Sequence, residues 1–116
     1  MGSLLSLRRM APTCAVLLSL TAACSADGPA TVEVTIESFK FAPDPVTINV
    51  GDSVTWTNAD PVGHNAQASD KSFRTPLFFS GESATATFDT AGTFPYFCGA
   101  HPEMVGTVIV EPEPSG

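Results

Sequence analysis

Basic residues are scarce in this chain of 116 residues, which contains five of them against twelve acidic residues. Two of the five, Arg8 and Arg9, lie near the amino terminus, whereas every acidic residue lies after residue 24. A domain this acidic is not expected to bind nucleic acid, because the phosphate backbone repels it. The simplest interpretation of the acidic residues is a solvated surface that keeps the protein in solution, although they leave room for a basic docking partner.

Long apolar runs are missing as well. Residues 10–23 are apolar or small, but this stretch is too short to cross a membrane as a helix. It follows the basic Arg8 and Arg9 and ends in small residues, which is the pattern of a secretory signal peptide. We therefore predict that residues 1–23 are a signal peptide and that the protein is exported.

The residues around Cys24 suggest how the exported chain begins. Thr21-Ala22-Ala23-Cys24 resembles the lipobox of bacterial lipoproteins, in which the cysteine becomes the lipid-bearing first residue. A multiply acylated terminus would hold a membrane stably, so we expect a lipid anchor on Cys24 at the periplasmic or extracellular face of the cell membrane. Ordinary cleavage at a small-residue site, which leaves Cys24 free or in a disulfide, is the alternative.

Helical periodicity is absent from the sequence after the signal peptide. Apolar and polar residues instead alternate in short runs, which is the pattern of half-buried β-strands. Phe39 and Phe41 continue the apolar face of the first run, Gly51 and Asp52 mark a tight turn that joins two strands, and residues 65–76 are irregular. The predicted strands cover residues 32–36, 46–50, 54–56, 84–88, 94–97 and 105–110.

About seven short strands separated by turn residues are typical of a β-sandwich. The length of the chain allows one domain, and we place this all-β domain at residues 31–111. Residues 24–30 are predicted to be a tether between the lipid anchor and the fold. Residues 112–116 are acidic and rich in proline, and we expect a disordered tail there.

Sulfur and imidazole side chains are few after Cys24, and three of the four lie in one short segment. Cys98, His101 and Met104 are separated by two residues each, and His64 is the remaining one. Gly99 and Pro102 argue against a helix in this segment. We therefore predict a tight loop that can bring the three side chains around one centre.

These residue types point to a particular metal. A thiolate and a thioether are soft donors, and an added imidazole favours copper over magnesium, while methionine is not among the usual zinc ligands. His64 would complete a set of two histidines, one cysteine and a weak axial methionine, as in electron-transfer copper sites. Taken singly, a cysteine or a methionine is more often a packing residue, so the prediction depends on their joint spacing.

Several segments of the sequence resemble the cupredoxins, or blue copper proteins, and in particular their plastocyanin and amicyanin branch. The interval of two residues between the donors of the last loop, with proline after the histidine, is similar to amicyanin. The resemblance extends roughly over residues 31–111 and is carried by Phe41-Ala42-Pro43, residues 50–58 (VGDSVTWTN), His64-Asn65, residues 92–98 (GTFPYFC) and His101-Pro102-Glu103-Met104 with Gly106.

The resemblance implies a Greek-key β-sandwich that binds one copper ion per chain. It makes His64, Cys98 and His101 the strong ligands and Met104 the axial one. Asn65 would fix the two ligand loops to each other, and it would have to bond backbone because Gly99 has no hydroxyl group. Hydrogen bonds from backbone N–H groups near Asn65 and Ala100 would tune the Cys98 sulfur.

The function implied by the resemblance is one-electron transfer between redox partners outside the cytoplasmic membrane. Cytochromes or a dehydrogenase would dock weakly near His101, onto a protein expected to be a monomer. Copper storage or delivery at the cell surface would use the same ligands and is the alternative function. We do not expect an enzyme, because a second copper centre would need further histidines. A metal-free adhesion sandwich is the remaining alternative.

Overall fold

The computed structural model describes residues 28–112, which form two four-stranded sheets without a helix. This architecture confirms the predicted all-β sandwich. The short strand β5 lies within the irregular stretch 65–76, where the sequence predicts none. In chain order the strands are β1 (Thr31–Glu37), β2 (Lys40–Ala42), β3 (Val46–Asn49), β4 (Ser53–Asn58), β5 (Gln67–Ala68), β6 (Ser83–Thr87), β7 (Gly92–Cys98) and β8 (His101–Glu111).

Each sheet mixes parallel and antiparallel pairs. One sheet has the order β3-β8-β7-β5, in which β8 runs parallel to β3 and antiparallel to β7. The other has the order β2-β1-β4-β6, in which β1 runs parallel to β4. Strands that are distant in the sequence therefore lie side by side.

The predicted tight turn at Gly51 and Asp52 is present, but the two strands that it joins do not pair. β3 and β4 lie in different sheets, so the turn carries the chain from one sheet to the other. The buried Asp52 carboxylate closes this corner by accepting hydrogen bonds from the N–H groups of Ala30 (2.8 Å) and Asn49 (3.0 Å). Gly51 has φ +95°, a conformation that residues with a side chain rarely adopt.

The core lies between the sheets and follows the predicted alternation. Side chains of β1 and β4 that face inward, such as Val34, Ile36 and Trp56, are fully buried. The Trp56 indole is stacked on Phe73 and meets the edge of Tyr96. Burying one large apolar side chain stabilises the fold by about 1.5–3 kcal/mol, so the inward-facing strand residues hold the sandwich together.

Phe39 is not part of the apolar face of β1, contrary to the sequence prediction. It forms the turn between β1 and β2 with Ser38, and 44% of its surface is exposed, whereas Phe41 is buried. Both turn residues have positive φ, 56° for Ser38 and 60° for Phe39. A two-residue hairpin needs this conformation to match the twist of its strands, and alternation ends where the chain reverses.

The segment from Cys98 to Met104 is more regular than the predicted loop. β8 begins at His101, which pairs with Cys98, so Gly99 and Ala100 alone form the turn. The register then shifts between His101 and Val105. Met104 thus lies on an irregular stretch at the start of β8, where extra residues face the partner strand.

The predicted signal peptide (residues 1–23) and the predicted lipid anchor at Cys24 lie outside the described residues, as do residues 113–116 of the predicted tail. Within residues 28–112, no helix has the length and apolar character needed to cross a membrane.

Candidate metal centre

His64 is held in place by its own backbone. Its N–H donates to the carbonyl of Phe78 (3.0 Å), and its carbonyl accepts from the N–H of Phe78 (2.9 Å). The buried Asn58 amide fixes the loop between β4 and His64 by donating to the carbonyls of Val62 (2.8 Å) and Phe78 (3.1 Å). The His64 side chain is fully buried, so its ring has little freedom to move.

The structure brings His64 together with Cys98 and His101. Cys98 ends β7 and is fully buried, and its Sγ lies 3.6 Å from Nδ1 of His64. The same sulfur lies 3.8 Å from Nδ1 of the half-buried His101. The ligand atoms of the three residues all lie within 4.8 Å of one another. Two residues that are 34 positions apart in the sequence therefore contribute to one cluster of donor atoms.

Met104, the fourth predicted donor, lies three residues after His101 on β8. Its side chain is 3% exposed and belongs to the same buried core as Cys98. Together with Phe39, Phe41 and Val105, it lines a groove of about 310 Å³. The thioether is therefore sheltered from solvent at the end of the sandwich that carries the histidines.

Asp60 holds the far side of the His64 ring. Its Oδ2 lies 3.0 Å from Nε2 of His64, four residues further along the chain. A carboxylate accepts hydrogen bonds, so this contact assigns the ring proton to Nε2 and leaves the lone pair of Nδ1 facing the Cys98 sulfur. A carboxylate on the outer nitrogen of a histidine is a common way to fix its tautomer and orientation for a metal.

The Asp60 carboxylate also holds the turn between β1 and β2. Its Oδ1 accepts from the N–H of Ser38 (2.7 Å), and its Oδ2 accepts from the N–H of Phe39 (2.9 Å). Burial raises the pKa of Asp60, but the hydrogen bonds from Phe39, Ser38 and His64 outweigh burial, so its pKa lies below the usual 3.8. Asp60 is therefore ionised at neutral pH and joins the turn to His64.

Asn65 joins the two segments that carry the donors. Its N–H donates to the Cys98 sulfur (3.4 Å). Its Oδ1 accepts from the N–H of Gly99 (2.6 Å), so the side chain does bond backbone. Its Nδ2 donates to Gln67 (3.0 Å) and to the carbonyl of Thr75 (3.3 Å). A corresponding bond to the sulfur from Ala100 stays a prediction.

Little space is free beside Gly99. A Cβ atom placed on Gly99 would lie 2.4 Å from Oε1 of Gln67 and 3.2 Å from Oδ1 of Asn65. Gln67 thus fills the volume that a hydroxyl side chain would need. Asn65 then reaches the Gly99 backbone directly.

Three residues around the donors were not identified from the sequence, namely Asp60, Gln67 and Phe39. The interval of four residues between Asp60 and His64 was the available signal, because a carboxylate near a histidine often supports a metal ligand. Gln67 lies in the stretch where we predicted no strand. For Phe39, the alternation of β1 predicts a position on the apolar face of that strand.

The donor set suits a soft transition metal. A buried thiol faces one ring nitrogen from each of two histidines, and a thioether is buried in the same core. This combination matches copper better than zinc or magnesium. The residues present therefore fit the metal that the sequence indicates.

A comparison with protein families agrees with this chemistry. The family described as copper binding proteins, plastocyanin/azurin family, matches residues 29–111. The chain belongs to this family. It is a cupredoxin, and its cofactor is copper, one ion per chain.

Individual relatives place this cupredoxin near the amicyanins and plastocyanins. It is 38% identical over 93 residues to amicyanin of Paracoccus versutus, which covers 75% of this chain and 70% of the relative. It is 48% identical over 86 residues to a chloroplastic plastocyanin of Tetradesmus obliquus, which covers 61% of this chain and 58% of the relative.

Solved structures support the cupredoxin fold. An amicyanin variant in the Cu(I) state aligns with a TM-score of 0.65 at 31% identity, over 70% of this chain and 82% of that one. A purple cupredoxin from Nitrosopumilus maritimus aligns with a TM-score of 0.66 at 31% identity, over 69% of this chain and 99% of that one. A nitrite reductase from Thermus scotoductus aligns with a TM-score of 0.67 at 31% identity, but over 73% of this chain and only 23% of that one. The likeness to this reductase therefore concerns a single domain of it.

Proposed function

We propose that this cupredoxin carries single electrons and that His64, Cys98 and His101 hold the copper, with Met104 as the axial ligand. One observation carries the proposal: donor atoms from two distant segments lie within 4.8 Å of one another, at the end of a packed sandwich. Copper bound to these residues would alternate between two oxidation states that differ by one electron. The protein has to keep the donors in nearly the same place in both states.

Hydrogen bonds between the loops support this task. Asp60 keeps the proton of His64 on Nε2, so Nδ1 is free to bind metal. Asn65 ties the Cys98 turn to the His64 loop through the N–H of Gly99 and donates its own N–H to the sulfur. Donors fixed in this way need little rearrangement when the charge of the site changes. A small rearrangement favours fast electron exchange.

Burial favours electron transfer over copper delivery. His64 and Cys98 are fully buried, and Met104 is nearly so, whereas a delivery protein has to hand its metal to an acceptor. His101 is the one strong donor that is only half-buried. An electron can pass through the His101 ring without any ligand leaving the site, whereas release of the ion would require movement of buried side chains.

We propose that redox partners dock around His101. Two large apolar side chains are exposed near it: Leu77, which lines a groove with Ala100, is 50% exposed, and Val105 on β8 is 61% exposed. Arg74 and Glu103 lie at the edges of these apolar residues and are exposed too. Such a surface suits a small, weak encounter with a redox protein such as a cytochrome or a dehydrogenase. Acidic residues elsewhere on the chain would favour a partner with a basic rim.

Addition of cupric ion to the purified protein tests this function. We expect an intense blue band from charge transfer between the Cys98 thiolate and copper, together with rapid reduction by a small cytochrome. Cys98→Ser should lose the band, whereas the matched control Cys24→Ser should keep it. A wild-type protein that binds only Cu(I) and never turns blue would show that copper delivery is the function instead.

We further propose that the protein is exported and anchored by a lipid on Cys24. The basic start, the short apolar stretch and the small residues before Cys24 support this localisation. Expression of the full chain in a bacterium with a labelled fatty acid should give a labelled protein in the membrane fraction. Cys24→Ser should remove both the label and the membrane association. Equal labelling of the wild-type and variant proteins would contradict the anchor.

A further inference from the structure

Phe39 combines two unfavourable features with one unusual contact. It has φ +60°, a conformation that costs free energy for a residue with a side chain, and its phenyl ring is partly exposed to water. The ring nevertheless meets the rings of both histidines of the metal centre. Its centroid lies 5.1 Å from that of His64 at an interplanar angle of 85°, and 4.9 Å from that of His101 at 87°.

The three rings form a closed group. His64 and His101 are themselves 4.9 Å apart between centroids, at an interplanar angle of 64°. Each ring therefore touches the other two, with separations in the range preferred by edge-to-face aromatic pairs. Phe39 is the member of this group that belongs to neither segment carrying the copper donors, because it comes from the turn between β1 and β2.

His101 depends more on this contact than His64 does. The His64 ring is fully buried and has Asp60 at its Nε2. The His101 ring is half-buried, and within residues 28–112 its side chain makes a hydrogen-bond contact only with the Cys98 sulfur, through Nδ1. Packing rather than hydrogen bonding must then restrain the outer part of the His101 ring, and Phe39 is an aromatic neighbour in position to do so.

We propose that Phe39 is a positioning residue that holds the His101 imidazole in its metal-binding orientation. This inference rests on the proposed role of His101 as a ligand. The Asp60 carboxylate supports this arrangement of rings, because one of its oxygens, Oδ2, binds both the N–H of Phe39 and Nε2 of His64. One buried anion thus fixes both the turn that presents the phenyl ring and one of the rings that it touches.

A test on the metal-free protein isolates this role from copper binding. NMR relaxation of the ring carbons measures how tightly each imidazole is held. Phe39→Leu removes the ring, but leucine, like phenylalanine, is unbranched at Cβ, so the cost of the positive φ should change little. We expect lower order for the His101 ring, with a smaller change for His64. Phe39→Tyr keeps the aromatic contact and should retain wild-type order. An equally ordered His101 ring in Phe39→Leu and in the wild type would overturn the proposal.

Phe94→Leu is the matched control. Phe94 is also a partly buried phenylalanine, but it packs on Phe88 and lies four residues before Cys98 on β7, which is about 13 Å along the strand. The Phe94→Leu variant should leave the order of both histidine rings unchanged. Loss of His101 order in Phe94→Leu as well would show a general loosening of the fold and would overturn a specific role for Phe39. Fluorescence of the single tryptophan confirms that each variant is folded.

Copper retention gives the second readout. If the phenyl contact holds His101 in place, a chelator should remove copper about three- to tenfold faster from Phe39→Leu than from the wild type, in line with the usual strength of an aromatic pair. Phe39→Tyr should restore the slow removal. Equal removal rates in all variants would overturn the role of Phe39 in holding the ligand. A colourless wild-type protein would instead refute the proposed copper function, while the metal-free measurement would still decide on Phe39.

Discussion

Replacement of Asp60 by asparagine would test how the metal end of the sandwich is held together. The buried carboxylate accepts three hydrogen bonds, from Ser38 at Oδ1 and from Phe39 and His64 at Oδ2. Asparagine has nearly the same shape, but one of its two polar atoms is an NH₂ group that cannot accept. Whichever way the amide turns, it faces at least one N–H donor of the protein.

The cost follows from these contacts. The better orientation keeps the carbonyl oxygen opposite Phe39 and His64 and leaves the N–H of Ser38 without an acceptor, which costs about 1–3 kcal/mol. The two remaining bonds lose their charge assistance and weaken by roughly 0.5–1 kcal/mol each. We expect Asp60→Asn to lower the free energy of unfolding of the metal-free protein by roughly 2–5 kcal/mol.

Urea unfolding at pH 7, followed by the fluorescence of Trp56, measures this free energy. The measurement uses metal-free protein, because bound metal would add its own stabilisation. Asp70→Asn is a suitable control, since Asp70 lies in an exposed loop and accepts from the N–H of Ser72. We expect only a small change in that variant.

Two results would contradict this reasoning about Asp60. The first is an Asp60→Asn protein as stable as the wild type, which would show that the carboxylate contributes nothing net to the fold. The second is an equal loss in Asp70→Asn, which would show a general effect of removing an acidic side chain. A loss confined to Asp60→Asn, with the Nε2 proton of His64 exchanging faster with solvent, is the expected result.

Two further predictions concern the core below the metal centre. Burial raises the pKa of Tyr96 to about 12, with the Trp56 indole opposing this rise and the Asp44 carboxylate adding to it. The folded state therefore holds this proton more tightly than the unfolded chain, and stability should fall by roughly 2–3 kcal/mol between about pH 10 and 12. Urea unfolding of Tyr96→Phe across this pH range should show no such fall. At pH 7 the variant should be as stable as the wild type, because the hydroxyl has no hydrogen-bond partner in the described part of the chain. The same alkaline loss of stability in the variant would contradict this prediction. Gly106→Ala should lower the free energy of unfolding by roughly 1–3 kcal/mol, since its Cβ would lie 2.5 Å from Cζ of Tyr96. Gly28→Ala is the control, because no atom lies within 4 Å of a Cβ at that position. Equal thermal stability of the two variants would argue against the clash.

The sequence was sufficient for the class of fold and for the chemistry of the donors. Alternation along β1 and β4 predicted which side chains point inward, because successive residues of a strand face opposite sides. The interval of two residues between Cys98, His101 and Met104 placed three soft donors in one segment. Both patterns are local: they depend only on residues that are close together in the sequence. Such patterns can be read from the sequence without knowing how the chain folds.

Pairing between distant strands was harder to predict. The alternating runs of β3 and β4 suggested two strands joined by a tight turn, but they belong to different sheets because β3 pairs with β8 and β4 pairs with β1. The choice depends on which strands bury the most apolar surface once the whole chain is folded. Within the irregular stretch 65–76, the short strand β5 pairs with β7, which is distant in the sequence.

The sequence by itself determined which side chains are available to bind a metal: one thiol, two imidazoles and one thioether in the domain, with three of them in one short segment. Only the tertiary structure decided what surrounds them. It brought His64 to the Cys98 sulfur, bonded the Asp60 carboxylate to the turn between β1 and β2, and turned Phe39 out of the core and onto both histidine rings. Residue types and short intervals are written in the chain, whereas contacts between residues more than 20 positions apart exist only after the two sheets have packed.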